Sequence, residues 1–326
     1  MGEGMAAANL NQRVASWRTK LQAQSIAVIY GGTSAERNIS LKSGQAVVNA
    51  MLCEGLDAVG YDVSCLDDVV KAAKQHSLVF LALHGRWGED GQVQAILQSL
   101  GVPFTGSHMA ASALAMDKVR TKYVWQGAGL PTPQFYRICA ADLAQIDWSA
   151  MPIPAMVKAS HEGSSIGLFK VDSMQQLQSA VTEALSFDTE VLVEQWVSGR
   201  EFTFSILGDQ VLPAIELKTQ HDFYDFEAKY VTGDTQYICP VNLSTELNAR
   251  LAHLVWQAFE ILGAKGVGRI DLMLDESGQP WLIELNTLPG MTDMSLVPKA
   301  AKQYGLSYGE LCIAIAGLAL DDSALA

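Results

Sequence analysis

The stretch RIDLMLDESGQPWLIELNT, residues 269–287, decides how this chain is read. Residues 270–274 and 281–285 are two apolar runs separated by Asp275-Glu276-Ser277-Gly278-Gln279-Pro280, a cluster of turn-forming residues. The pattern predicts an antiparallel hairpin. Closed without a bulge, it sets Leu274 opposite Trp281, Asp271 opposite Glu284 and Arg269 opposite Asn286. Side chains alternate faces along a strand, so these polar groups share one side. Two directly opposed carboxylates repel. A sheet with an apolar other face tolerates them best with a cation between them. Asp271, Glu284 and Asn286 offer only oxygen ligands to such an ion, the hard set that suits Mg²⁺ with positions left open for phosphate oxygens. The competing reading is a solvated polar face on an ordinary hairpin.

Composition narrows the class. A chain of 326 residues supports two or three domains with real cores. A net charge of −13 argues against nucleic-acid and anionic-membrane partners, both of which need a basic surface. Five cysteines, odd in number and without CxxC spacing, read as reduced cytosolic thiols with no zinc or catalytic role. No apolar run approaches the ~18 residues of a membrane span. The first 25 residues lack the apolar core of a signal peptide. Residues 6–24 read as a short polar helix or a loose extension.

From Ile26 the order is strand (IAVIY), Gly-rich turn (GGTSAERNIS), then a helical run over residues 41–54. Residues 61–66 and 78–83 read as further strands and 92–100 as a helix. Alternating strands and helices imply a parallel sheet with sites at the C-terminal strand ends. Glu36 and His84 sit there, although a helix-N-terminal acid and a structural histidine are equally ordinary readings. No GxGxxG follows the first strand, which weakens a dehydrogenase reading. A helix over 110–127 carries Lys118, one of many helix lysines that are usually solvated.

A strand over 155–157 ends in Lys158 and is followed by His161-Glu162-Gly163-Ser164-Ser165-Ile166-Gly167. Glycine backbone with the Ser164 and Ser165 hydroxyls can cradle phosphate, though an ordinary hairpin loop fits as well. After a strand (168–171) and a helix (173–185), the strand VLVEQWV (191–197) offers a base slot. Trp196 and Val197 supply flat apolar contact, while Glu194 and Glu201 supply acceptors. A plain buried strand is the alternative. Residues 218–240, aromatic and charged without periodicity, read as a lid or a surface connection that carries Lys229 and Tyr230. After the hairpin, the Gly290 N–H and Arg269 together could form an oxyanion site.

Taken in order, GGTSAER, LHGRWGEDG, MDK, VKASHEGSSIGL, EQWVSGREFT, EAKY, GRIDLMLD and IELNTLPGMT closely resemble the D-alanine–D-alanine ligases of the ATP-grasp group, from residue 26 to 317. The resemblance implies an α/β fold with three-domain ATP-grasp architecture, an N-terminal parallel α/β domain and two α+β domains that sandwich ATP. Expected boundaries are an extension (1–25), a substrate-binding domain (26–106), a central subdomain (107–197) and a C-terminal subdomain (198–326) with a mobile lid at 218–240. It implies ATP-dependent joining of two D-alanines through an acyl phosphate, for peptidoglycan precursors, in a cytoplasmic enzyme expected as a homodimer. Two Mg²⁺ ions are implied, with Mn²⁺ able to substitute, on Asp271, Glu284 and Asn286.

By the same resemblance, Glu36 holds the first substrate's ammonium beside His84. Ser164 and Tyr230 share a hydrogen-bond network with Glu36. Lys118, Lys158 and Lys229 neutralise phosphates, and Arg269 and Gly290 stabilise the tetrahedral oxyanion. Ser295 and Leu296 receive the second substrate's carboxylate. The chain departs from the family pattern at Ala159, His161, Trp87 and Asp293-Met294, none of which removes a ligand. Tyr230 favours D-alanine over D-lactate as second substrate. Relatives that make the D-lactate or D-serine product, and an inactive nucleotide-binding protein, are the alternatives; the latter predicts erosion of the metal acids or Arg269, and all are present.

Overall fold

A computed structural model describes residues 2–163, 167–218 and 235–323. Ser164, Ser165, Lys229 and Tyr230 therefore lie outside the described residues. Three sheets organise the chain. The first is parallel, ordered β2-β1-β3 from β1 (Ser25–Gly31), β2 (Asp57–Val63) and β3 (Leu78–Leu81). It packs against α2 (Arg37–Cys53), α3 (Leu66–Gln75) and α4 (Gln92–Leu100).

The second sheet is antiparallel, ordered β4-β7-β5-β6 from β4 (Phe135–Cys139), β5 (Ala155–Ala159), β6 (Leu168–Val171) and β7 (Glu190–Gln195). Helix α7 (Met174–Ala184) covers it. The third is antiparallel too, running β11-β10-β8-β12-β13 with β9 on β8. Its strands are β8 (Gly199–Leu207), β9 (Gln210–Val211), β10 (Ile215–Lys218), β11 (Gln236–Ile238), β12 (Val267–Asp275) and β13 (Pro280–Asn286).

The β12–β13 hairpin shows why the sequence pattern works. Ile270, Leu272 and Leu274 face inward and are buried with Leu282 and Leu285 against α8 (Thr245–Glu260). Each such side chain contributes roughly 1.5–3 kcal/mol on burial, which fixes the opposite face outward. Arg269 pairs with Asn286 and Asp271 with Glu284, as the spacing predicts. The register then shifts between Asp271 and Leu272, so Leu274 faces Pro280 and Trp281 faces Met273. The expected Leu274–Trp281 pairing is corrected by this bulge. It inserts Ile283, and Ile283 and Glu284 are consecutively half-buried where strict alternation would bury one of them. At the turn, the Asp275 carboxylate accepts from the Ser277 and Gln279 amides, both at 2.9 Å, an Asx-type closure.

Other expectations shift for local reasons. The strand expected at 61–66 ends at Val63, because the Asp68 carboxylate reaches back to the Ser64 and Cys65 amides and starts α3. The helix expected over 110–127 breaks into α5 (Met109–Met116) and α6 (Lys118–Gly127). Asp117 between them has extended backbone and accepts from the Arg120 amide at 3.0 Å. The strand expected over 191–197 ends at Gln195, so Trp196 and Val197 lie just past it.

Of the two readings for residues 6–24, the helix is found. Helix α1 (Gly2–Leu21) buries Leu10, Val14, Trp17 and Leu21 against α10 (Tyr308–Ser323) and its surroundings. The fit needs glycine: a Cβ on Gly317 would lie 2.2 Å from the Trp17 ring. Trp17 Nε1 donates to Asp321 at 2.8 Å, and Arg18 pairs with Glu54 at 2.7 Å. No helix among the described residues is long and apolar enough to cross a membrane.

Candidate active site

Where the three sheets converge lies a cavity of about 1180 Å³, lined by every described residue to which the sequence gave a catalytic, substrate, nucleotide or metal role. From the parallel sheet come Glu36, ahead of α2, and His84, after β3. Lys118 opens α6, Lys158 lies on β5, and Glu194, Trp196 and Val197 mark the end of β7. The third sheet adds Glu201, Arg269, Asp271, Glu284 and Asn286. Gly290, Ser295 and Leu296 follow from the next loop and the start of α9 (Leu296–Tyr304).

Glu36 sits in a crevice made by missing side chains. A Cβ on Gly85 would stand 2.6 Å, and one on Gly163 2.9 Å, from its Oε2. The carboxylate thus spans from the parallel sheet to the glycine loop, at the edge of the segment that contains Ser164. His84 is buried, with Nδ1 3.1 Å from the Leu288 carbonyl and Nε2 3.0 Å from Ser43 Oγ. Burial pulls its imidazole down, but Glu89 and Glu36 outweigh that and hold it above the usual range. With both nitrogens bonded, His84 ties the first sheet to the loop after β13. Trp87 nearby has φ 70, a left-handed backbone that ordinarily favours glycine. Its amide donates to Asp90 at 2.7 Å, which holds the turn.

The hairpin face brings Arg269, Asp271, Glu284 and Asn286 together. Arg269 forks onto Asp271, Nε to Oδ1 at 2.9 Å and Nη2 to Oδ2 at 2.8 Å. Asn286 Nδ2 lies 3.5 Å from the same carboxylate. Asp271 and Glu284 stand in register on this face, and Glu284 also acts on Lys158 and Lys122. Two carboxylates and an amide oxygen on one cavity face are an all-oxygen donor set that fits a divalent hard cation. Above this face Lys118 Nζ donates to the Glu162 carbonyl at 2.6 Å.

Glu194 is more enclosed than a base-edge acceptor need be. It is buried between Lys158, at 2.5 Å, and Lys122, which is fully buried on α6. Burial would raise the Glu194 carboxyl, but the two lysines hold it below the usual range. Lys122 is pulled down to about 8 by burial, against the opposing pull of Glu194. Burial acts downward on Lys158 too, but Glu194, Glu284 and Glu201 outweigh it and leave it raised. Sequence reasoning missed Lys122, since an interior lysine carries no local signal. It also missed the apolar lining from Met156, Met273 and Ile283.

At the far end Ser295 Oγ accepts from the Thr292 amide at 3.0 Å and lies 2.8 Å from where a Gly290 Cβ would stand. Leu296 begins α9, so its N–H is among the donors a helix leaves without an intrahelical partner.

A second acidic group lies beside the cavity. Asp117, His161 and Glu190 come close enough to hold a metal. Their carboxylates are already matched: Arg120 pairs with Asp117 and, at 3.0 Å, with Glu190, which Arg137 also holds. His161 bridges Asp117 at 3.1 Å and Asp188 at 3.0 Å. These hydrogen bonds raise His161 to about 9. Its departure from the family pattern therefore keeps a cation at that position.

Comparison with known proteins bears on the assembly as a whole. The family model described as D-ala D-ala ligase C-terminus matches residues 124–316, and that for the N-terminus matches residues 65–107. The chain belongs to the D-alanine–D-alanine ligase family. A D-alanine–D-alanine ligase of Hydrogenovibrio crunogenus is 52% identical over 295 residues, 90% of this chain and 94% of the relative. One from Marinobacter nauticus is 52% identical over 89% of each chain. The crystal structure of the Bacillus anthracis ligase complexed with ATP superposes with a TM-score of 0.83 at 30% identity, covering 93% of this chain and 99% of that one. The agreement extends to the ATP-grasp architecture that the ordered motifs implied.

Proposed function

We propose that this chain joins two D-alanines into D-alanyl-D-alanine at the expense of ATP. The observation that carries the reading is the oxygen-donor face of the β12–β13 hairpin, Asp271, Glu284 and Asn286, turned into one cavity with Lys118 and Lys158. In the first step the carboxylate of one D-alanine attacks the γ-phosphorus, and ADP leaves with the β–γ bridging oxygen. The amine of the second D-alanine then attacks the acyl phosphate. The tetrahedral intermediate collapses with loss of inorganic phosphate, and the amine proton is released.

This chemistry needs positioning and charge neutralisation, with no covalent nucleophile from the protein. Glu36 anchors the ammonium of the first substrate, and His84 fixes the loop across from it. Lys118, Lys158 and Lys229 neutralise the phosphates. Met156, Ile283 and Trp196 line an apolar slot for the base, bordered by Val197 and Glu201. Arg269 and the Gly290 N–H face the tetrahedral oxyanion, and Ser295 with the Leu296 N–H takes the second carboxylate. By the family resemblance Ser164 and Tyr230, which lie outside the described residues, would share a hydrogen-bond network with Glu36. Asp271, Glu284 and Asn286 would hold two Mg²⁺ ions, or Mn²⁺, which when bound neutralise charge on the triphosphate.

The domain limits at 26–106, 107–197 and 198–326, a homodimer and a cytoplasmic setting belong to the same proposal. The test is phosphate release from ATP with D-alanine, L-alanine or D-lactate supplied in turn, followed by product identification. D-alanine alone should support rapid release and give the dipeptide. Ester formation with D-lactate, or silence with every substrate, would overturn the proposal.

A further inference from the structure

Lys122 lies in a place where a lysine is costly. It is fully buried, its ammonium donates to Thr132 Oγ1 at 2.7 Å and to the Leu282 carbonyl at 3.3 Å, and it pairs with Glu194. Glu194 is shared with Lys158, whose side chain reaches the cavity. Within the triad two ammonium groups share one carboxylate, and Glu284 and Glu201 act on Lys158 as well. Of the two lysines, only Lys158 lines the cavity, so only it can reach a ligand there.

We infer that Lys122 is a positioning residue that keeps Glu194 neutralised when Lys158 turns from it to the nucleotide phosphates. The inference rests on the ATP-binding reading above. Without Lys122, Lys158 would be the sole counter-ion of a buried carboxylate. Each phosphate contact it made would then strand that charge in the interior, where an unpaired ion is strongly disfavoured. With Lys122 in place, Glu194 keeps a partner throughout and Lys158 is free to move. The arrangement also explains why Lys122 approaches Glu194 from α6, on the side away from the cavity.

The experiment compares binding of β,γ-imido-ATP and of adenosine to the full chain. In K122M the imido-ATP dissociation constant should rise about tenfold or more, while that of adenosine changes less than about twofold. A general distortion of the pocket would weaken both. In an E194Q background no buried charge needs holding, so K122M/E194Q should bind imido-ATP within about twofold of E194Q alone. That pair also serves if K122M by itself does not fold. Equal weakening of both ligands, no effect of K122M, or the same loss in the E194Q background would overturn the inference. K158M separates it from the reading beneath it. If K158M leaves the preference for imido-ATP over adenosine intact, the assignment of Lys158 to phosphates fails. If K158M abolishes that preference and K122M does not touch it, only the role of Lys122 fails.

Discussion

Two acidic clusters border the same cavity and behave in opposite ways. On the hairpin, Asp271 and Glu284 stand in register with Arg269 as the cation beside them. At the junction of α6 with the second sheet, Asp117, Asp188 and Glu190 are met by Arg120, Arg137 and His161, with Arg86 3.8 Å from Asp188. By proximity alone the second group looks the better metal site. Setting reverses that ranking: the acids at Asp117 are already bound by arginines and His161, whereas Asp271, Glu284 and Asn286 line the cavity with oxygen ligands. Balanced clusters hold segments together, here the loop after β5 against α6 and β7. The hairpin face, turned into the cavity, offers oxygen ligands instead.

The largest test of this contrast is removal of the Glu284 carboxylate. Glu284→Gln should lower Mg²⁺-dependent phosphate release on the order of a hundredfold or more. Folding stability should change far less than activity, because the amide keeps the volume and hydrogen-bonding capacity of the side chain. A stability loss comparable to the activity loss would place Glu284 with the structural acids. The converse is Glu190→Gln in the balanced cluster. It leaves Arg120 and Arg137, both well exposed, to solvent, so the cost should be modest, about 1–2 kcal/mol by denaturant unfolding. The Mg²⁺ concentration dependence of turnover should stay as in the parent chain.

The smallest effect is in pH. His161 is raised by its Asp117 and Asp188 hydrogen bonds from 6.5 to about 9. A raised folded-state value means its contribution is fully present below about 6.5 and is lost as pH rises through about 9. Thermal melts across that window should show a shallow alkaline decline that His161→Asn flattens. An identical decline in the variant would remove His161 as its source.

What the sequence made legible follows the range over which each cause acts. The Asp271–Glu284 and Arg269–Asn286 pairings were readable because period-two alternation and a turn of strong formers act locally. The Ile283 bulge was not, since its register is set by packing under α8 and leaves no composition signal. Lys118 and Lys158 were readable from their motifs. Lys122, four residues further along the same helix, reads as another solvated lysine until β7 brings Glu194 against it. The break at Asp117 was missed because Ala, Leu and Met before it and Lys and Arg after it all favour helix. The helix at 2–21 is stabilised by Gly317 and Asp321, some three hundred residues away, and local polarity could not settle whether it would be ordered.

The central claim is that the acid face of the hairpin, and not the denser cluster at Asp117, holds the divalent ions. Mn²⁺ titration in the presence of ADP, followed by electron paramagnetic resonance on the parent chain, E284Q and E190Q, addresses it directly. The account predicts that E284Q loses tight Mn²⁺ binding and E190Q keeps it. Tight binding that survives in E284Q and vanishes in E190Q would contradict it.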